Sequence, residues 1–191
     1  MDMTSFLIYC VIATFTPGPT NLVILSTVNH FGAKQAMKYS YGAAAGFGLL
    51  LVISAVLNNL LITVIPKILI AMQVVGSIYM LYLAYLMCKS HSSNPTGNQT
   101  ATFLSGFMMQ FLNPKVVLFS WTVIPAFVMP HYSTASAVTV SIVALTLIGF
   151  LAFTTWVLFG RVFKSFFQKH NRIASVMMAL LLVYAALMIW L

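Results

Sequence analysis

Near its start the chain carries two prolines and a glycine inside an otherwise unbroken apolar segment. The stretch reads Thr16-Pro17-Gly18-Pro19-Thr20-Asn21. Because proline has no backbone N–H and its ring clashes with the preceding turn, a helix must break here, and the carbonyls of Ala13 and Phe15 lose their helical partners. A membrane-spanning segment tolerates irregular backbone only where it is buried in protein or lines a wet cavity. The stretch therefore predicts a broken membrane helix beside a cavity; a kink that serves only helix packing is the alternative.

The composition makes the chain an integral membrane protein. Of its 191 residues, 61% are hydrophobic and 5% are charged, whereas soluble domains carry about 25% charged residues. The net charge of +8 comes from bases in short connections between apolar segments, where cytoplasmic loops collect them. This distribution predicts contact with a lipid bilayer and argues against nucleic-acid binding.

Six apolar segments predict an all-α protein with six membrane-spanning helices, since each has about the 20 residues that a bilayer core of about 30 Å requires. The predicted spans are 4–28, 39–65, 68–88, 101–129, 137–160 and 173–191. The polar stretch between the third and fourth spans is predicted to be a flexible cytoplasmic linker. The domains are thus a first three-helix repeat, a linker and a second three-helix repeat, at 1–88, 89–100 and 101–191.

The basic residues of the connections predict the orientation in the membrane. One side carries seven of them and the other side carries only Lys67, with Lys115 left out because it lies within a span. Because cytoplasmic loops are rich in Lys and Arg, the first side is predicted to face the cytoplasm and both termini the outside. The seven residues are Lys34, Lys38, Lys89, Arg161, Lys164, Lys169 and Arg172.

A second interruption, Asn113-Pro114-Lys115, lies at the matching place in the second half of the chain, and a further bend of the same span is predicted near Pro125. With an offset of 96 residues (113 minus 17), Pro17 aligns with Asn113 and Gly18 with Pro114. Because each half has three spans, the two copies enter the membrane with opposite senses. Inverted repeats with broken first helices are typical of secondary transporters that bind substrate at the repeat interface.

The two breaks predict a site for a zwitterion. The N-terminus of a half-helix favours an anion, and Asn113 and Pro114 suit the first positions of such a helix. Lys115 lies roughly 20 Å from either end of its span, and the only acid in the chain is Asp2. We therefore hypothesise that a substrate carboxylate partners Lys115; the alternative is that Lys115 reaches a water-filled vestibule or backbone carbonyls and only stabilises the fold.

A small zwitterionic amino acid satisfies this hypothesis, with its ammonium group held by the freed carbonyls of Ala13, Phe15 and Gln110. The sequence indicates a transporter, not an enzyme. The four histidines lie in connections or at span ends without metal-ligand spacing, so neither a metal nor a cofactor is expected. The candidate substrate-binding residues are Thr16, Pro17, Gly18, Pro19, Asn21, Gln110, Asn113, Pro114 and Lys115.

Two further patterns leave alternatives open. Gly42 and Gly46 form a small-residue pair that predicts close packing of the second span against another helix, with a homodimer contact as the other possibility. Cys10 and Cys88 would allow a membrane thiol-disulfide electron carrier, although they are 78 residues apart (88 minus 10), out of phase with the repeat, and neither neighbours a proline. For the function, a non-transporting membrane scaffold or a lipid-binding protein is a further alternative.

The chain resembles the LysE/RhtB family of bacterial amino-acid exporters over nearly its whole length. The resemblance rests on the first break motif and on Gly32, Gly42, Gly46, Gly76, Tyr79, Leu81, Tyr82, Leu83, Gly106, Asn113-Pro114-Lys115 and Phe119. Segments 110–113, 127–130 and 180–185 are most similar to the cysteine and O-acetylserine exporter branch.

The resemblance implies proton-driven efflux of small neutral amino acids across the inner membrane, with cysteine and O-acetylserine, or threonine and homoserine, as the substrate classes. Two residues depart from the family pattern. The family usually has Asn where this chain has Thr20. Lysine-exporting members carry an acid where this chain has Phe47, which argues against a cationic substrate.

Overall fold

The structure, a computed structural model, describes residues 3–57, 102–132, 134–163 and 171–188, and positions 70, 74–75, 77–82, 84–85, 88, 165 and 169. Every regular element within these residues is helical, so this part of the chain is all-α as predicted. The elements are α1 (Met3–Phe15), α2 (Pro19–Phe31), α3 (Ala33–Val56), α4 (Phe103–Leu112), α5 (Pro114–Val123), a π-helical turn (Ile124–Val128), α6 (Ala135–Val162) and α7 (Asn171–Met188).

The first predicted break separates α1 from α2. The two helices are bent by 45° relative to each other across residues 16–18. Pro19 takes the first helical position of α2, where its missing N–H would have no intrahelical partner in any case. Gly18 before it is extended. The prediction that the helix breaks at this stretch is confirmed.

The second predicted break separates α4 from α5, and its bend is larger, 70°. Asn113 is the N-cap residue of α5, and its side-chain oxygen accepts a hydrogen bond from the backbone N–H of Lys115 at 3.2 Å. The predicted second bend, near Pro125, is the π-helical turn that follows α5. Pro125 has no backbone N–H and cannot donate a helical hydrogen bond. The turn that contains it is wider than an α-helical turn, and the Met129 N–H donates to the Ile124 carbonyl at 3.0 Å.

Two single helices, α3 and α6, are long and apolar enough to cross a membrane, and the two bent pairs bring the total to four candidate spans among the described residues. Leu147, Leu151 and Leu158 of α6 are each more than half exposed, as lipid-facing side chains would be. The linker 89–100 and nine of the 21 positions of the third predicted span lie outside the described residues. The count of six spans and the inverted repeat stay predictions.

The second span begins six residues earlier than predicted, at Ala33 and not at Tyr39. The charge of Lys34 and Lys38 predicts a connection there, but both residues lie in the first two turns of α3. Gly32 alone connects α2 to α3. Its φ of 85° lies in the region that glycine adopts without steric cost.

The glycine pair of α3 packs against α4 within the same chain. A Cβ on Gly42 would collide with the carbonyl of Phe103, and one on Gly46 would lie 2.6 Å from the carbonyl of Phe107. Gly106 of α4 makes the reciprocal approach, since a Cβ there would collide with the carbonyl of Tyr39. The prediction that this pair packs against another helix is confirmed. The α3 surface around the two glycines is covered by α4, so it is not available for a dimer contact. A homodimer of the chain stays a prediction.

This packing brings the two halves together around two apolar clusters. One cluster centres on α2 and includes Leu22, Ile24 and Val28, with Phe153 of α6. The other includes Phe47 of α3 with side chains of α5 and the π-helical turn. Both broken helices therefore lie beside α3 and α6, and this arrangement sets the position of the site.

We expect Gly42→Ala to destabilise the protein, because the added methyl group meets the backbone carbonyl of Phe103, which cannot rotate away. Overpacking of this kind costs about 1–3 kcal/mol, and each kcal/mol lowers the melting temperature of a chain of this size by roughly 2–4 °C. Thermal unfolding of the purified protein in detergent measures the loss. The matched control is Gly48→Ala on the same helix, whose Cβ would lie 3.1 Å from the movable side chain of Thr146. Equal melting temperatures for the two variants would contradict the prediction.

Candidate functional site

A cavity of about 40 Å³ lies where the two breaks meet α3 and α6. It has room for a few water molecules, since one buried water needs about 10–15 Å³. One part of its lining, the polar wall, consists of Thr14, Thr20, Asn21, Asn113 and Lys115. The remaining lining is apolar, and its three rings, Phe47, Phe119 and Phe153, form the aromatic wall.

Side chains satisfy the carbonyls that the first break leaves without helical partners. The Asn21 amide N–H₂ donates to the carbonyls of Thr14 and Thr16, at 3.2 and 2.9 Å. The Thr16 hydroxyl donates to the Ala13 carbonyl at 3.2 Å. The Trp156 indole N–H, which comes from α6, donates to the Phe15 carbonyl at 3.1 Å. The hypothesis assigned the carbonyls of Ala13 and Phe15 to a substrate ammonium, but the structure gives each a side-chain donor.

Lys115 connects the second break to the first. Its ammonium group donates to the carbonyl of Thr16 at 3.0 Å and to the hydroxyl of the same residue at 2.7 Å. The Lys115 side chain runs over Gly18, where a Cβ would lie 3.3 Å from Cδ. An ammonium group has three donors, so contact with Thr16 accounts for two of them. The alternative interpretation of Lys115, in which its ammonium group reaches backbone carbonyls and stabilises the fold, predicts a contact of this kind.

Thr20 is the second connection between the two breaks. Its hydroxyl oxygen accepts from the Asn113 amide at 2.8 Å and from the Gln110 amide at 3.3 Å. Gln110 also donates to the carbonyl of Gly106 at 3.0 Å. Each of these side chains is at least 97% buried, with exposures of 3% for Thr20, 1% for Asn113 and 0% for Gln110. Hydrogen bonds between buried groups therefore hold the two breaks together.

Two buried acceptor atoms of the site have no hydrogen-bond partner among the described residues: Asn21 Oδ1 and Gln110 Oε1. The amide orientations follow from the bonds above, because each N–H₂ group donates to at least one backbone carbonyl, which can only accept. The oxygen of each amide therefore points away from that carbonyl. Buried polar atoms are paired in the great majority of cases, so these two oxygens are unused acceptors of the site.

The electrostatics of the cavity favour an anion. Lys115 is the one charged residue of the lining, which contains no carboxylate. The N-terminus of α2 also faces this region, since Gly18, Thr20 and Asn21 are lining residues. Its N-cap residue, Gly18, provides no side-chain hydrogen bond, so the first N–H groups of α2 have no side-chain cap. The positive end of the helix dipole lies at these N–H groups.

Four of the nine predicted site residues line the cavity: Gly18, Asn21, Asn113 and Lys115. Thr16 contacts Lys115, and Gln110 lies one hydrogen bond behind the cavity wall, through Thr20. The three remaining residues are the prolines that shape the breaks, Pro17, Pro19 and Pro114.

Sequence reasoning missed several residues of the site. Gly149, Phe153 and Trp156 come from α6, whose sequence predicts only an apolar span. Phe47 of α3 enters the sequence argument only as a neutral residue where lysine-exporting members carry an acid, and not as a residue of the cavity lining. Thr14 precedes the first break and was not singled out. Thr20 lies within the first break motif, and its polar side chain between a proline and an asparagine is the signal that could have found it.

The two cysteines give the thiol-disulfide reading no support. Both are free; Cys10 is fully buried in the apolar cluster around Phe47, and Cys88 is exposed. The family described below is also one of translocators, in agreement with a transporter and not with an enzyme.

Comparison with known proteins identifies relatives over the full chain. Residues 11–191 match the family described as LysE type translocator. The cysteine/O-acetylserine efflux protein of Escherichia coli strain K12 is 30% identical over 190 residues, which cover 98% of this chain and 97% of the relative. The protein of the same name from Salmonella typhimurium strain LT2 is 30% identical over 191 residues, covering 100% and 98%. No solved structure matches. The chain is therefore a membrane protein that belongs to the LysE type translocator family.

Proposed function

We propose that the protein is a secondary transporter that exports small neutral amino acids from the cytoplasm across the inner membrane, with cysteine and O-acetylserine as the first substrates to test. The observation that carries this proposal is the cavity shared by Asn21, Asn113 and Lys115, which come from both broken helices. The names of the relatives, which describe those proteins as cysteine/O-acetylserine efflux proteins, support the substrate class. Threonine and homoserine are the second class.

In this proposal the carboxylate of the substrate binds the Lys115 ammonium and the uncapped N-terminus of α2. A charge-assisted hydrogen bond is roughly twice as strong as a neutral one, so a carboxylate is a better partner for Lys115 than the Thr16 carbonyl and hydroxyl. The exchange frees Thr16 and loosens one of the two connections between the breaks. Substrate binding is thereby coupled to the relative position of the two half-helices.

The ammonium group of the substrate binds Asn21 Oδ1 in this proposal. This oxygen belongs to a lining residue, is buried and lacks a partner among the described residues. An ammonium donor would satisfy it. Gln110 Oε1 is a second such acceptor, located behind Thr20. The carbonyls of Ala13 and Phe15 then serve to fix the break, through Thr16 and Trp156.

The membrane arrangement of the proposal has six spans in two inverted three-helix repeats, with both termini outside. The two bent helices and the shared cavity support it, because transporters of this design build the site from broken helices of both repeats. The excess of basic residues on one side of the predicted membrane supports the orientation. A proton gradient is the proposed driving force.

We expect inverted membrane vesicles that contain the purified protein to accumulate labelled cysteine or O-acetylserine. In such vesicles the cytoplasmic face is outside, so an exporter moves substrate inwards. If protons move in the opposite direction to the substrate, an acidic vesicle interior increases the initial rate, and dissipating the gradient with an ionophore removes the increase. Vesicles without the protein are the control. Uptake equal to that of the empty vesicles for every neutral amino acid tested would refute the proposed function.

Replacing Lys115 by alanine tests the carboxylate contact. We expect substrate affinity to fall about 10- to 100-fold, because a hydrogen bond to a charged group contributes about 1.5–3 kcal/mol. A loss at least as large should appear when the wild-type protein is offered the methyl ester of the amino acid, which weakens the contacts with both Lys115 and the N-terminus of α2. In the Lys115→Ala variant, esterification should reduce affinity less than in the wild type, because only the contact with α2 is left to lose.

Isothermal titration calorimetry measures these affinities, on purified variants whose melting temperatures match that of the wild-type protein. The control Lys34→Ala removes an exposed lysine at the start of α3 and should leave affinity unchanged. Undiminished affinity of Lys115→Ala for the amino acid would show that Lys115 only stabilises the fold.

Cysteine labelling tests the orientation. Cys88 is exposed and adjoins the predicted cytoplasmic linker, so a membrane-impermeant maleimide should label it in inverted vesicles and not in intact cells, in a Cys10→Ser background. A His131→Cys variant without the native cysteines places the thiol in the predicted outer connection and should show the reverse pattern. Labelling of Cys88 from outside would overturn the assigned orientation.

A further inference from the structure

The aromatic wall adds large apolar side chains to the cavity that the polar wall also lines. Phe47 is 3% exposed and Phe153 is 6% exposed, and the rings of Phe47 and Phe119 are 6.0 Å apart between centroids. This wall offers no hydrogen-bond donor or acceptor. If the charged groups of an amino acid bind at the polar wall, its side chain points at these rings.

The Phe47 ring has no space to retreat from the cavity toward α6. A Cβ added to Gly149 would lie 2.7 Å from both Cδ1 and Cε1 of Phe47, so the ring rests directly on the glycine backbone. Glycine at position 149 is the one residue type that leaves this space for the ring. Phe119 limits the ring from another direction.

We propose that Phe47, held in place by Gly149, limits the length of the side chain that the site accepts. This inference rests on the proposed function and adds a specificity-determining pair to it. The ring closes the apolar end of the cavity, and Gly149 sets how far the ring extends into it. A shorter side chain at position 47 deepens the apolar end, whereas a methyl group at position 149 pushes the ring into the cavity.

A homologous series of straight-chain amino acids tests the pair, because its members differ only by methylene groups. The competitors are alanine, 2-aminobutyrate, norvaline and norleucine, each measured by inhibition of labelled-substrate uptake into inverted vesicles. For the wild-type protein we expect affinity to fall roughly 10-fold or more at the first methylene that meets the ring. Phe47→Leu should shift this fall to a longer competitor, and Gly149→Ala should shift it to a shorter one.

The ratios of affinities along the series are the readout, because a general loss of stability changes all affinities together and leaves their ratios unchanged. Phe47→Met, which conserves volume better, replaces Phe47→Leu if that variant does not fold, with a shift in the same direction. The matched control is Phe150→Leu, which neighbours Gly149 but stacks on Tyr41 at 5.5 Å and lies outside the cavity lining. It should leave the ratios unchanged.

Two results are distinguishable. If vesicles with the wild-type protein take up no amino acid, the proposed function is refuted, and this inference with it. A wild-type protein that transports amino acids, with the same affinity ratios in Phe47→Leu, Gly149→Ala and wild type, overturns the size limit alone and leaves the proposed function standing.

Discussion

Backbone polar groups in a membrane must find partners within the protein, and this requirement shapes the whole site. Pro17 and Pro19 remove two donors from a helix that would otherwise satisfy itself. The carbonyls of four consecutive residues, 13–16, then accept hydrogen bonds from the side chains of Thr16, Asn21, Trp156 and Lys115. Two of these donors, Lys115 and Trp156, come from the second half of the chain, so the hydrogen bonds of the break depend on the assembly of both halves. The helical hydrogen bonds that the prolines remove are thus replaced by hydrogen bonds that need the tertiary structure.

The two breaks satisfy this requirement in different ways. At the second break, Asn113 caps α5 with its oxygen and donates its amide to Thr20, so both ends of one side chain are used. At the first break the N-cap is Gly18, which provides no cap, and the adjacent lining includes Lys115. The site is therefore asymmetric, with its positive potential concentrated at the start of α2. The stabilisation of an anionic group is therefore larger at the start of α2 than at the start of α5.

The sequence predicted those features that depend on single residues with strict backbone requirements. Prolines at positions 17, 19, 114 and 125 located both breaks and the later bend, because the missing N–H acts locally. Gly42 and Gly46 correctly predicted close helix packing, although not which helix would be the partner. Pairing between distant segments leaves no such local signal.

For this reason the partners of the breaks could not be predicted. Trp156 donates to a residue 141 positions earlier, and nothing in its apolar surroundings on α6 distinguishes it. The Phe47–Gly149 contact is a similar case, since a glycine and a phenylalanine within two apolar spans are compatible with many packings. The hypothesis that free carbonyls hold an ammonium group followed from counting lost helical bonds. It did not include the side chains that another helix contributes.

The position of Lys115 gives the site a physical reason to change on binding. Among the described residues, the Lys115 ammonium is paired with a neutral carbonyl and a hydroxyl. It is therefore less well solvated than in water, since removing a charge from water is costly unless an opposite charge compensates it. Within the cavity lining no residue supplies that charge, so a substrate carboxylate is favoured because the protein lacks one. A ligand shifts a conformational equilibrium only by its difference in affinity for the two states. The contact between Lys115 and Thr16 provides such a difference, because it is formed in this structure and competes directly with the carboxylate.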